Sequence, residues 1–94
     1  MPQLIIQRKK GITNGFLSLH ILLNGKKIGS IENGEHKKWT IQPGHYTLKA
    51  KGGILLGSQE ISLQVNEGEN KVFQLGNFGG GYFKTHLQLK EMES

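Results

Sequence analysis

The side chains of this 94-residue chain that could perform chemistry are four histidines, five serines and seven glutamates. Cys and Asp are absent, which excludes thiolate nucleophiles, thiolate metal sites and a disulfide framework. A Ser-His-Glu set is the nucleophilic arrangement that remains. No Gly-x-Ser-x-Gly elbow is present, and Ser58 with Glu60 reads as the solvated face of a single strand. His20, His36, His45 and His86 stand 16, 9 and 41 residues apart. None of these gaps is the i, i+2 strand spacing or the i, i+4 helix spacing that sets two imidazoles on one metal. His20 is instead expected on an outer sheet face over Gly29, and His45 just after a turn. The stretch Gly76-Asn77-Phe78-Gly79-Gly80-Gly81 has the glycine density of a phosphate loop. It lacks the Lys-Ser/Thr and the helix N-terminus that would hold the anion. It reads as a connector between the last two strands, with Phe78 pinning it to the core. The chain is therefore expected to be non-catalytic, with no metal and no cofactor.

Charge offers a different chemistry. Twelve Lys and Arg face seven Glu, a formal net charge of +5 with a pI near 9.6. Arg8-Lys9-Lys10, Lys26-Lys27 and Lys37-Lys38 cluster in sequence, and Lys49 and Lys51 point to one side of a strand. Merged into a patch, they would attract nucleic acid, anionic lipid or another polyanion. Scattered, they block edge-to-edge aggregation of a small β protein. Eleven of the twelve are Lys, whereas bidentate phosphate and base recognition favours Arg. Trp39, Phe73 and Phe83 are needed inside, which leaves few aromatics for base stacking. What distinguishes a protein-binding module from a polyanion-binding one is whether the lysine pairs converge on one face.

The elements that must position these groups are strands. The chain has 14 Gly and a single Ala, Ala50, a composition that opposes helices. Gly15, Gly25, Gly34 and Gly44 recur at the spacing of short antiparallel strands. Asn14-Gly15, Asn24-Gly25 and Asn33-Gly34 suit hairpin turns, and Pro43-Gly44 suits a type II turn. Asn66-Glu67-Gly68 marks a further turn. Between them lie the expected strands: Leu4 to Arg8, Leu17 to Leu23, Lys26 to Ile31, Lys37 to Ile41, Tyr46 to Lys51, Ile61 to Val65, Val72 to Leu75, and Phe83 to Lys90. No segment carries the apolar period of a helix. A two-residue turn at Asn24-Gly25 sets Ile21 opposite Ile28, and a hairpin around Asn33-Gly34 sets Ile28 opposite Trp39. That row would line one face of three adjacent strands. It would also bring Glu32 opposite Glu35, which a looser loop from Glu32 to Glu35 relieves. The expected fold is one all-β domain over residues 1–94, an antiparallel β-sandwich of seven or eight strands. The first ten residues do not make a signal peptide and no apolar run spans a membrane, so the chain reads as cytoplasmic.

Two landmarks resemble a known family. Ile21-Leu22-Leu23-Asn24-Gly25-Lys26-Lys27-Ile28-Gly29 is similar to the opening of a PEGA-type domain, and Gln42-Pro43-Gly44-His45-Tyr46-Thr47-Leu48 is similar to its Pro-Gly strand entry. The resemblance covers about residues 18–75. The Pro-Glu-Gly-Ala tetrapeptide that names the family is absent, and Asn24 stands where Asp is usual. The resemblance implies a small sandwich like carboxypeptidase regulatory and immunoglobulin-like domains, serving bacterial proteins as a non-catalytic accessory module. The expected function is a β-sandwich interaction module that binds a protein partner, with weak polyanion contact. The alternative is a basic module that binds nucleic acid or another polyanion.

Overall fold

A computed structural model of the chain describes residues 1–8, 18–52, 56–58, 60–76 and 88–92. Alternating apolar and polar residues extend the backbone, because that period gives each strand one apolar face. The described strands are β1 (Gln3–Arg8), β2 (Leu19–Leu23), β3 (Lys26–Ile31), β4 (His36–Thr40), β5 (Gly44–Gly52), β6 (Leu56–Gly57), β7 (Ile61–Val65), β8 (Asn70–Gly76) and β9 (Gln88–Met92). The first sheet runs β4-β1-β8-β9, and the second runs β3-β2-β5 with β6 and β7 on the far side of β5. Their inner faces supply one core, with Leu4, Ile6, Phe73, Leu75 and Leu89 from the first sheet and Leu19, Ile21, Ile31, Leu48 and Val65 among those from the second. The all-β, sandwich-like expectation holds.

Two details depart from it. Nine strands are described rather than seven or eight, because the two-residue β6 adds to β5. The first sheet is mixed, since β1 and β8 run parallel from Gln3↔Asn70 to Arg8↔Leu75. These two strands are remote in sequence, so no tight turn forces them antiparallel. Asn14-Gly15, Phe78 and Phe83 lie outside the described residues. Among those described, no helix is long and apolar enough to cross a membrane.

The β2–β3 hairpin closes as its turn residues dictate. Asn24 and Gly25 both take positive φ, +53° and +79°, which is the type I′ requirement. Leu23 faces Lys26 and Leu22 faces Lys27, but beyond them the register shifts and Ile21 faces Gly29. A β-bulge thus corrects the expected Ile21–Ile28 pair. Ile28 and Ile31 are three apart and cannot share one face of a regular strand. The extra residue turns Ile31 inward opposite Leu19, while Ile28 still packs against the core.

The expected β3–β4 hairpin is replaced by a corner. Glu35 N–H donates to the Glu32 carbonyl at 3.0 Å, with Gly34 at φ +75°. Asn33 is not in the positive region, so the turn is not type I′ and the strands do not continue as one ladder. Strand β4 instead joins the first sheet, with Trp39 facing Leu4. Ile28 and Trp39 therefore belong to different sheets, and the indole lies over Gly29 across the sandwich. An equivalent corner joins β7 to β8, where Glu69 N–H donates to the Asn66 carbonyl at 3.0 Å with Gly68 at φ +78°. At both corners the last glutamate folds back to accept a backbone N–H, Glu35 from Glu32 at 2.9 Å and Glu69 from Asn66 at 3.1 Å.

The two corners share a string, Gly-Glu-x-Lys-x-aromatic, ending at Trp39 and Phe73. The strands they feed run on either side of β1 and are centred on Ile5, which faces both Lys38 and Val72. Between β4 and β5 the chain crosses back to the second sheet, and there the Tyr46 hydroxyl donates to the Gln42 carbonyl at 2.6 Å. This bond ties the start of β5 to the segment that leads into it. Arg8 ends β1 inside the structure at 5% exposure, and its Nη1 donates to the Ile31 carbonyl at 2.9 Å. Burial lowers the Arg8 pKa from its ordinary value and the Glu32 carboxylate opposes the shift. The guanidinium stays charged and ties the end of β1 to the end of β3.

Candidate functional site

Strand alternation decides where the lysines point. In the second sheet Ile21, Leu23, Leu48 and Ala50 are buried inward, so Leu22, Lys49 and Lys51 face outward. Register then builds two rows across β3, β2 and β5: Lys27–Leu22–Lys49 and Ser30–His20–Lys51. Lys27 and Lys51 are exposed, while Leu22, His20, Ser30 and Lys49 are half-buried. With strands about 4.8 Å apart and a rise of about 3.4 Å per residue, Lys27 and Lys49 stand about 10 Å apart and Lys49 and Lys51 about 7 Å. At 10 Å in water two unit charges repel by only about 0.4 kcal/mol. The face is therefore tolerable when empty, and an anion laid on it removes that repulsion.

The carboxylates lie elsewhere. Six of the seven glutamates are described. Glu35 pairs with Lys37 at 3.7 Å, and Glu69 and Glu91 pair with Lys71 at 3.8 and 3.3 Å. Glu67 takes the Met1 ammonium at 3.2 Å. Glu32 accepts the Ser18 hydroxyl and sits near Arg8. Glu60 is exposed just before β7. Among the described residues, Lys27, Lys49 and Lys51 form no ion pair. Glu60 stands one residue before Ile61, which faces Leu48, and so borders this face, yet among the described residues no carboxylate pairs with its three lysines.

Adjacent lysines cannot share a face of one strand, so the sequence pairs divide. Lys38 lies on the outer face of the first sheet opposite Ile5, while Lys37 falls on the Trp39 side and is neutralised by Glu35. Arg8 is buried, and Lys9 and Lys10 lie outside the described residues. The basic residues thus split between two opposite faces, with three of them together on the second sheet.

The other candidate groups do not converge. His20 stands on the outer face as expected, but the bulge sets it opposite Ser30 rather than Gly29. Its Nδ1 is buried with no hydrogen-bond partner. His45 is exposed on β5 and His36 is exposed on β4 of the other sheet, while His86 lies outside the described residues. Among those described, no three His or Glu side chains cluster as a metal site. Ser58 and Glu60 precede β7 instead of sharing a strand. Ser58 is buried, and its Oγ accepts the Ala50 N–H at 2.8 Å.

Leu22 was missed as a site residue, although its break in the alternation of β2 was the available signal. The chain matches no protein-family model, no curated protein and no solved structure at a significant level.

Proposed function

We propose that this chain is a non-catalytic β-sandwich interaction module that docks a protein partner on the outer face of its second sheet. Its architecture we assign to the immunoglobulin-like and PEGA-like group. The Tyr46 hydroxyl bond to the Gln42 carbonyl, similar to the tyrosine corner of such sandwiches, and the returns between sheets on either side of β4 support that assignment. One observation carries the functional reading: Lys27, Lys49 and Lys51 flank Leu22 on one face with no ion pair to a described carboxylate, while the described acids other than Glu60 are engaged elsewhere. An apolar side chain inside a polar rim is the core-and-rim arrangement of protein interfaces.

The same three lysines support the second reading, a polyanion-binding module. Division of the other lysines between faces weighs against it, because affinity for a polyanion grows with the number of phosphates contacted together. A photo-crosslinker at Ser62, which faces outward beside Thr47 on the second sheet, separates the two in extracts of the native host. The reading predicts a discrete protein adduct that survives nuclease and is missing when the crosslinker stands at Lys90 on the first sheet. Adducts removed by nuclease, or equal from both positions, would overturn it.

A further inference from the structure

The geometry points to an acidic, partly apolar protein segment as the occupant of the Lys27–Leu22–Lys49 face, an inference that rests on the interaction-module reading above. Charge complementarity decides the choice. Three ammonium groups form no ion pair among the described residues, and a lysine is a point charge that matches single carboxylates, whereas bidentate phosphate recognition draws on Arg. Nucleic acid would also draw on aromatic platforms. The outward positions of β3, β2 and β5 carry no Phe, Tyr or Trp, since Tyr46 packs against the core. Leu22 gives the face an apolar centre that a phosphate chain does not use.

Dimensions agree with such a segment. In an extended peptide alternate side chains fall on one side about 6.8 Å apart. A Glu-x-Leu-x-Glu segment laid across the strands with its Leu on Leu22 carries its two carboxylates about 14 Å apart, about 2 Å beyond Lys27 and Lys49 at each end, a gap the flexible lysine stems span. Lys51, one position along β5 on the same face, receives a further acid.

The test is fluorescence anisotropy with a labelled Glu-Glu-Leu-Glu-Glu peptide at about 0.1 M salt, where the Debye length is about 10 Å. Binding is expected to disappear when Gln replaces each Glu of the peptide, and to weaken when Ser replaces its Leu. The double variant Lys27→Gln/Lys49→Gln should weaken binding about fivefold, the sum of two exposed ion pairs. The equal charge change Lys38→Gln/Lys90→Gln, on the opposite sheet, should leave it within about twofold because distant charges are screened. All four side chains are outward-facing, so matching thermal melts of the two variants serve as the folding control. Equal weakening by both variants overturns the inference. So does an oligonucleotide of equal charge that binds more tightly and ignores Leu22→Ser, and so does a peptide that fails to bind. If the peptide fails while the Ser62 adduct persists, the acidic occupant falls and the module reading stands. If the Ser62 adduct is absent while the peptide binds, the module reading falls.

Discussion

Gly29→Ala is the most informative single perturbation, because Gly29 and Trp39 lie in different sheets. A Cβ at Gly29 would stand 2.9 Å from Cζ2, 3.1 Å from Nε1 and 3.3 Å from Cε2 of the Trp39 indole. Carbon atoms in ordinary contact sit about 3.5–4.0 Å apart, so the ring must withdraw by about half an ångström. The ring is rigid and packs against the core, and overpacking of this kind costs about 1–3 kcal/mol. Gly29 is not among the positive-φ glycines, so Ala is compatible with its backbone. Ala then returns about 0.4–1 kcal/mol by restricting the unfolded chain.

The net expectation is a loss of about 1–2 kcal/mol, or about 4–16 °C in Tm for a domain of this size. Urea unfolding followed by far-UV circular dichroism measures it. The same substitution in a Trp39→Leu background should be neutral or stabilising, since the atoms that clash are gone. A coupling of about 1 kcal/mol or more between the two sites is therefore expected. An unchanged midpoint for Gly29→Ala, or an equal loss in both backgrounds, would refute the packing of β4 over β3.

Tyr46→Phe removes the donor to the Gln42 carbonyl and should lower stability by about 0.5–1.5 kcal/mol; an unchanged urea midpoint would count against the corner as a structural tie. Arg8→Met removes the donor to the Ile31 carbonyl and should cost about 1–3 kcal/mol, while Lys38→Met, on an exposed outer position, should stay within about 0.5 kcal/mol. Equal losses at the two positions would contradict the buried role of Arg8.

Much of the fold was legible because strand periodicity is local. Lys26–Ile31 and Ile61–Val65 were read with the bounds observed, and Asn24-Gly25 closed where its positive-φ residues allow. Asn33-Gly34 is the same dipeptide with a different outcome, since only its glycine turned left-handed and the Glu35 carboxylate holds the turn from its own side chain. A dipeptide therefore does not tell a hairpin from a corner. The bulge had a signal in Ile28 and Ile31, whose spacing fits no regular strand face. The parallel pairing of β1 with β8 had none, because it depends on how remote segments meet. For the candidate face, Lys49 and Lys51 were readable from alternation along one strand. Lys27 and Leu22 were not, since their place beside Lys49 depends on the registers of β2 with two neighbours. Alternation also shows why Lys37 and Lys38 do not act together.

The central claim is that the chain works through the outer face of its second sheet. Mapping amide chemical shifts of the isotopically labelled chain during titration with the Glu-Glu-Leu-Glu-Glu peptide tests it most directly. Perturbations should gather at His20, Leu22, Lys27, Lys49 and Lys51, and fade at Ile5, Lys38, Gln74 and Lys90. Shifts concentrated on β1, β4, β8 and β9, or spread evenly over both faces, would contradict it.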